Sequence, residues 1–91
     1  MDRAKITHVA IRFQGKVYSL PEPNRHHHVI WHIAETLGVS HVDTHGDDQG
    51  FLDANGQYLN RKQALVSALL NDQVKDPSQI RAQGLFSEDL W

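Results

Sequence analysis

"GFLDANGQYLNRKQALVSALLN", residues 50–71, decides the fold. Two short apolar stretches, around Phe51 and Tyr58, flank Ala54-Asn55-Gly56, and an Asn-Gly pair between such stretches predicts a β-hairpin. The second strand runs straight into Asn60, a good helix N-cap, with Gln63 placed to complete a capping box. A helix is therefore expected over residues 61–71, with Ala64, Leu65, Ala68 and Leu69 as its buried stripe.

The upstream half repeats this order without repeating the sequence. "KITHVAIRF", residues 5–13, alternates, placing Thr7, Val9, Ile11 and Phe13 on one face and His8 and Arg12 on the other. Gln14-Gly15 is a tight turn into "GKVYSL", so residues 5–20 read as a first hairpin. "PEP" at 21–23 ends it, because proline has no N–H to give to a ladder. Asn24 is the expected cap of a first helix in which Val29, Ile30, Ile33, Ala34 and Leu37 recur at helical spacing, and Gly38 is its stop. Residues 39–49 read as an exposed connection and 72–84 as a loop. "LFSEDLW", residues 85–91, is an apolar-ended tail expected to dock. The order is ββαββα over a single domain, residues 1–91. The fold class is α+β: a small antiparallel sheet of two hairpins with both helices on one face.

A chain of 91 residues buries a limited core, roughly 60–65% of its unfolded surface at this size. Together with Trp31 on the helix flank and the apolar tail, this leads us to expect a homo-oligomer. The net charge is −2 with the seven histidines neutral, which argues against coating a nucleic acid polymer. With no cysteine there is no disulfide, thiolate zinc site or cysteine nucleophile, as suits a reducing cytosol. No apolar run approaches the ~20 residues that span a bilayer, and "MDRAKITHVAIRF" lacks the apolar region of a signal peptide. A cytoplasmic protein without membrane contact is expected.

Three histidines follow Arg25 in "NRHHHVIWHIAETLG", residues 24–38. His28, His32 and Glu35 share one helical face at a spacing that can bind zinc, and His41, Asp43, His45 and Asp47 alternate in the following loop. No H-E-x-x-H pattern embeds a general base among them, and histidines on a solvated face need no ligand. Neither a native metal nor a cofactor is expected. The serines lie in no nucleophile elbow and no glycine-rich phosphate loop is present, so an enzyme is not expected.

Helix polarity is more informative. The first helix opens with Arg25 and three histidines, the second with Arg61 and Lys62, while Glu35 and Asp72 lie near their ends. Both distributions oppose the macrodipole, at about 0.3–1 kcal/mol per exposed charge. An anion at the helix starts would remove that cost, since free backbone N–H groups and an arginine suit phosphate. Solvated surface charge is the plainer account of either helix alone; the reversal in both favours the anion. Phe51 and Tyr58 lie within a few residues of Arg61, one of them destined for the core. An aromatic ring, the Asn60 amide and an arginine at one turn suit a nucleotide.

The ordered motifs "ITHVAIRFQGKVYSLPEPNRHHHVIWHIAE", "QGFLDANGQYLNRKQAL" and "GLFSEDLW" span nearly the whole chain. Their order and spacing resemble a family of small phage-encoded proteins, the first type of anti-Thoeris protein. These are sponges that sequester cyclic ADP-ribose signals. The resemblance implies a ββαββα protomer assembling as a dimer or hexamer in the cytoplasm of an infected bacterial host. It also implies stoichiometric capture of a cyclic ADP-ribose-type or related cyclic nucleotide, without degradation. By motif, Phe51 would stack on the base, Asn60 and Arg61 would contact ribose and phosphate, and Arg25 would face the pyrophosphate. His26 and Lys62, next to these arginines, complete the expected ligand-binding set. Asn60-Arg61 stands where that family's pattern has Asp-Arg, which keeps the cap. His28 stands where it has an aspartate, which puts any ligand role for His28 in doubt. The alternative is a protein-binding inhibitor of a defence effector, similar to an anti-CRISPR, for which the acidic "DTHGDD" is a faint indication.

Overall fold

Gln14 and Gly15 both adopt positive φ, 53° and 77°, which gives the turn a twist that matches the flanking strands. They join β1 (Ile6–Phe13) to β2 (Lys16–Pro21) in an antiparallel pair. The computed structural model describes residues 4–44 and 48–91. Two further strands, β3 (Gln49–Asp53) and β4 (Tyr58–Asn60), form the second hairpin, and the sheet order is β2-β1-β3-β4. With α1 (His26–Leu37) and α2 (Arg61–Leu70), the order is ββαββα, an α+β fold.

One cross-strand row explains the core. Leu20, Val9, Phe51 and Leu59 are register partners across all four strands. Val29 and Ile33 of α1 and Ala64 and Ala68 of α2 join Val9, Phe51 and Leu59 in the same buried cluster. Both helices thus cover one face. A register shift between Ile6 and His8 departs from simple alternation. Through it Ile6, rather than Thr7, joins Val9 and Ile11 in the core. On the opposite face Ala10 pairs with Gly50. A Cβ at Gly50 would lie 2.8 Å from the Tyr58 hydroxyl, so glycine lets the phenol cross the strand.

The helix boundaries need two corrections. Arg25, not Asn24, occupies the cap position of α1, and its backbone N–H donates to His28 Nδ1 at 2.8 Å. An imidazole three residues on thus plays the part that Glu or Gln has in a capping box, accepting the N–H of the cap residue. Asn24 instead closes the preceding turn, its side-chain amide donating to the Pro21 carbonyl. Gly38 ends α1 at φ 67°, as left-handed glycine does. The inward stripe of α2 is Ala64, Ser67 and Ala68, with Leu65 partly buried; Leu69, expected inside, is 48% exposed. Leu37 of α1 is exposed as well.

The tail docks on the chain itself. Leu85 and Leu90 complete the core, and the Lys75 N–H donates to the Asp89 carbonyl. The Trp91 indole N–H donates to the Asn24 carbonyl at 2.8 Å. Gly84, at φ 116°, lets the backbone pass close to Arg61, where a Cβ would meet the Arg61 carbonyl carbon at 2.7 Å. No helix among the described residues is long and apolar enough to cross a membrane.

Candidate functional site

The two helix starts lie side by side. His26 opens α1, and its Nε2 bonds the Gly50 carbonyl of β3 at 2.7 Å, one residue from the strand that feeds α2. Its ring meets Phe51 edge-on at 5.0 Å. Burial lowers the His26 pKa to about 4, against the opposing pull of the Gly50 carbonyl and with added repulsion from Arg61. The imidazole is therefore neutral near neutral pH and donates to Gly50. Its role is to fasten α1 to the sheet.

Arg61 opens α2. Asn60 caps it, its side-chain oxygen accepting the Gln63 N–H at 2.8 Å while Gln63 Oε1 accepts the Asn60 N–H at 3.0 Å. The guanidinium of Arg61 donates to the Leu85 carbonyl at 2.9 Å and to Gln49 Oε1 at 2.6 Å. It lies 4.0 Å from the centroid of Phe86, and Arg81 lies 4.3 Å from the same ring. Burial lowers the Arg61 pKa from its ordinary value, with Tyr58 acting against the shift, and an arginine so placed keeps its charge. Two of its five N–H donors have protein partners among the described residues, which leaves donors for an anion.

Neither helix has an acid in its first turn or a base in its last. The reversed polarity is thus a property of the folded helices. Part of the compensation is internal: Glu88 and Asp89 of the tail favour the charged form of Arg61, and Glu88 also pairs with Arg81 at 2.8 Å.

The expected ligand residues other than Asn60 separate into three groups. Arg61 and Lys62 stand at the start of α2, with Lys62 exposed. Arg25 stands at the start of α1, where its Nη1 is buried with no hydrogen-bond partner among the described residues. His26 and Phe51 are interior. Phe51 has no exposed surface, so the stacking role expected of it is not open in this structure. It is the core member of the Phe51–Tyr58 pair. Tyr58, half-buried on the other sheet face, has Arg12 over its ring at 5.0 Å. Asn60 spends its amide oxygen on the cap.

Sequence reasoning missed Phe86 and Arg81, which come together with Arg61 only because the chain folds back from twenty or more residues away. His41 and Asp43 pair at 2.8 Å on the surface, whereas His45 and Asp47 lie outside the described residues. Among the described residues no three metal-binding side chains are arranged to hold an ion.

The family model described as phage T4 y16D protein matches residues 5–91. The chain belongs to that family. No curated protein and no solved structure matches it. Membership of the phage T4 y16D protein family agrees with the phage origin implied by the sequence resemblance. The matched span takes in both helix starts, the Phe86–Arg81 contact and every residue of the expected ligand set.

Proposed function

We propose that this phage protein binds a cyclic ADP-ribose-type or related cyclic nucleotide signal and sequesters it without degrading it. The observation that carries the reading is the adjacency of two helix starts with reversed polarity, one holding Arg61 and Lys62 and the other Arg25. Oriented backbone dipoles, guanidinium donors and a neighbouring ammonium offer a pyrophosphate several charge-assisted hydrogen bonds at once. Arg61 is held in place by Gln49, Leu85 and Phe86, so little ordering cost remains to be met on binding. The Phe86 ring, with Arg61 and Arg81 over it, fixes the spacing of two cations.

Capture of this kind needs no bond to be made or broken. It works when affinity and copy number exceed those of the effector that would otherwise read the signal. The infected bacterial host is where a protein of this phage family would act. We assign self-association to the outward face of α2, where Val66, Leu69 and Leu70 are 45%, 48% and 65% exposed at helical spacing. The same stripe is the observation that favours the competing reading, an inhibitor that grips a defence effector by surface contact.

The test is to expose the purified protein to a mixture of cyclic ADP-ribose isomers and cyclic di- and trinucleotides, then denature it and identify what is released by mass spectrometry. Release of an intact cyclic nucleotide in stoichiometric amount is expected. Recovery of a cleaved product would make the protein an enzyme. Capture of a host protein with no nucleotide retained would favour the inhibitor.

A further inference from the structure

Trp31 is the one exposed aromatic side chain among the described residues, 62% exposed at the middle of α1. An exposed indole is costly to leave in water and is informative for that reason. This one is also held in place. His27 meets it edge-on with ring centroids 5.0 Å apart, and His28 does so at 5.6 Å. The two imidazoles themselves lie 4.1 Å apart. His28 is fixed in turn, because its Nδ1 accepts the Arg25 backbone N–H at 2.8 Å. His28 and Trp31 lie on the outer side of the helix, away from buried Val29 and Ile33, and Arg25 stands at the cap position just before its first turn.

We infer that Trp31 is the platform on which the base of the bound nucleotide stacks, with Arg25 taking a phosphate at the start of the same helix. The inference rests on the nucleotide reading above and deepens it by locating the base. The other aromatics near the helix starts are committed. Phe51 is fully buried, and Phe86 already carries two guanidiniums over its ring. Every nucleobase has a π-face that an indole can accept, and a platform already held by neighbouring rings loses little freedom on binding.

Charge sets the direction in which the ligand lies. Arg25 has a buried Nη1 with no partner among the described residues, and no acid occupies the first turn of α1. Glu35 sits one turn beyond Trp31 and would repel a phosphate there. The phosphates therefore belong at the Arg25 end and the base over Trp31, with His27 and His28 at its edge.

The experiment is calorimetric titration of the full chain with cyclic ADP-ribose and with a cyclic dinucleotide, using wild type, Trp31→Leu and Trp31→Phe. The two indole N–H resonances are followed by NMR, the Trp31 signal being the one lost in either variant. The expected result is at least a tenfold weakening in Trp31→Leu and affinity within about threefold of wild type in Trp31→Phe, the range of base–aromatic stacking. Ligand should also shift the Trp31 indole signal. Because Trp31 lies on the surface, circular dichroism should be the same for all three proteins. Wild-type binding with Trp31→Leu equally tight would overturn the platform and leave the nucleotide reading standing. A change in oligomeric mass in Trp31→Leu at unchanged affinity would likewise overturn it and give Trp31 to a contact between copies. Failure of wild type to bind either nucleotide would remove the reading and the platform together.

Discussion

Arg61 and Leu85 exchange two hydrogen bonds: the Leu85 N–H donates to the Arg61 carbonyl at 3.0 Å, and the Arg61 guanidinium donates back to the Leu85 carbonyl at 2.9 Å. A residue expected to serve only a ligand thus also pins the tail to α2. Arg61→Ala should weaken nucleotide binding by about 1.5–3 kcal/mol, the scale of a charge-assisted hydrogen bond. It should also lower stability by about 1–3 kcal/mol, because the Leu85 carbonyl and Gln49 lose their donor. Lys62→Ala, at an exposed neighbour, should weaken binding alone. Titration calorimetry beside urea denaturation separates the two effects, and an Arg61→Ala protein as stable as wild type would show the Leu85 bond to be idle.

Phe51→Ala should behave as a core deletion. The ring is fully buried between His26 and the Val9–Leu59 row, and truncating such a side chain costs about 3–5 kcal/mol. Urea denaturation measures this directly. A loss below 1 kcal/mol, with binding reduced, would mean that the ring is a surface platform after all.

Acid should destabilise the fold through His26. Its pKa falls from 6.5 to about 4 on folding, mainly by burial. Above pH 6.5 both states are neutral and nothing changes. Between pH 6.5 and 4 the unfolded chain takes up a proton that the folded chain refuses, so stability falls as pH falls. The full effect, reached below pH 4, is about 3 kcal/mol. His26→Gln should flatten this part of the pH–stability curve measured by thermal melting; an unchanged curve would place the titration elsewhere.

Chelator should leave both fold and nucleotide binding unchanged. His28 already accepts a backbone N–H, and no three-residue metal set is present among the described residues. Unfolding or loss of binding on exhaustive chelation would establish a metal requirement.

Self-association should depend on α2. Leu70→Glu places a charge in the exposed stripe of Val66, Leu69 and Leu70. Light scattering at tens of micromolar should show an oligomer for wild type and a lower mass for the variant. A monomer in both would remove the self-association assigned to this face.

The elements that could be read from the sequence are those set by neighbours. The Gln14-Gly15 turn, the Asn60–Gln63 capping box and the Gly38 stop each depend on residues within four positions, and each is present. The start of α1 was misplaced by one residue because a histidine at the third helical position completes the box in place of Glu or Gln. Which of Phe51 and Tyr58 is buried depends on the pairing of Phe51 with Val9 across the sheet and on where α1 lands. Neither is visible in the residues around them. The contact of Arg61 with Phe86 and Arg81 was illegible for a plainer reason: nothing near residue 61 announces a tail twenty residues on.

The hairpins and helices close through near neighbours, but Trp91 reaches back to Asn24, and Gln73 pairs its side-chain amide with both backbone groups of Ile6, each across 67 positions. Such long closures lose chain entropy before burial rewards them. The arrival of residues 85–91 against the two helix starts should therefore follow the pairing of the sheet. On the same reasoning the tail should be the first part to lift. A brief lifting would bare the Leu85 and Leu90 contacts and free the Arg61 guanidinium while β1 and β3 stay paired. The basic end of the molecule would then alternate between a latched and an unlatched form, and a bound anion would be held most firmly in whichever of the two it stabilises.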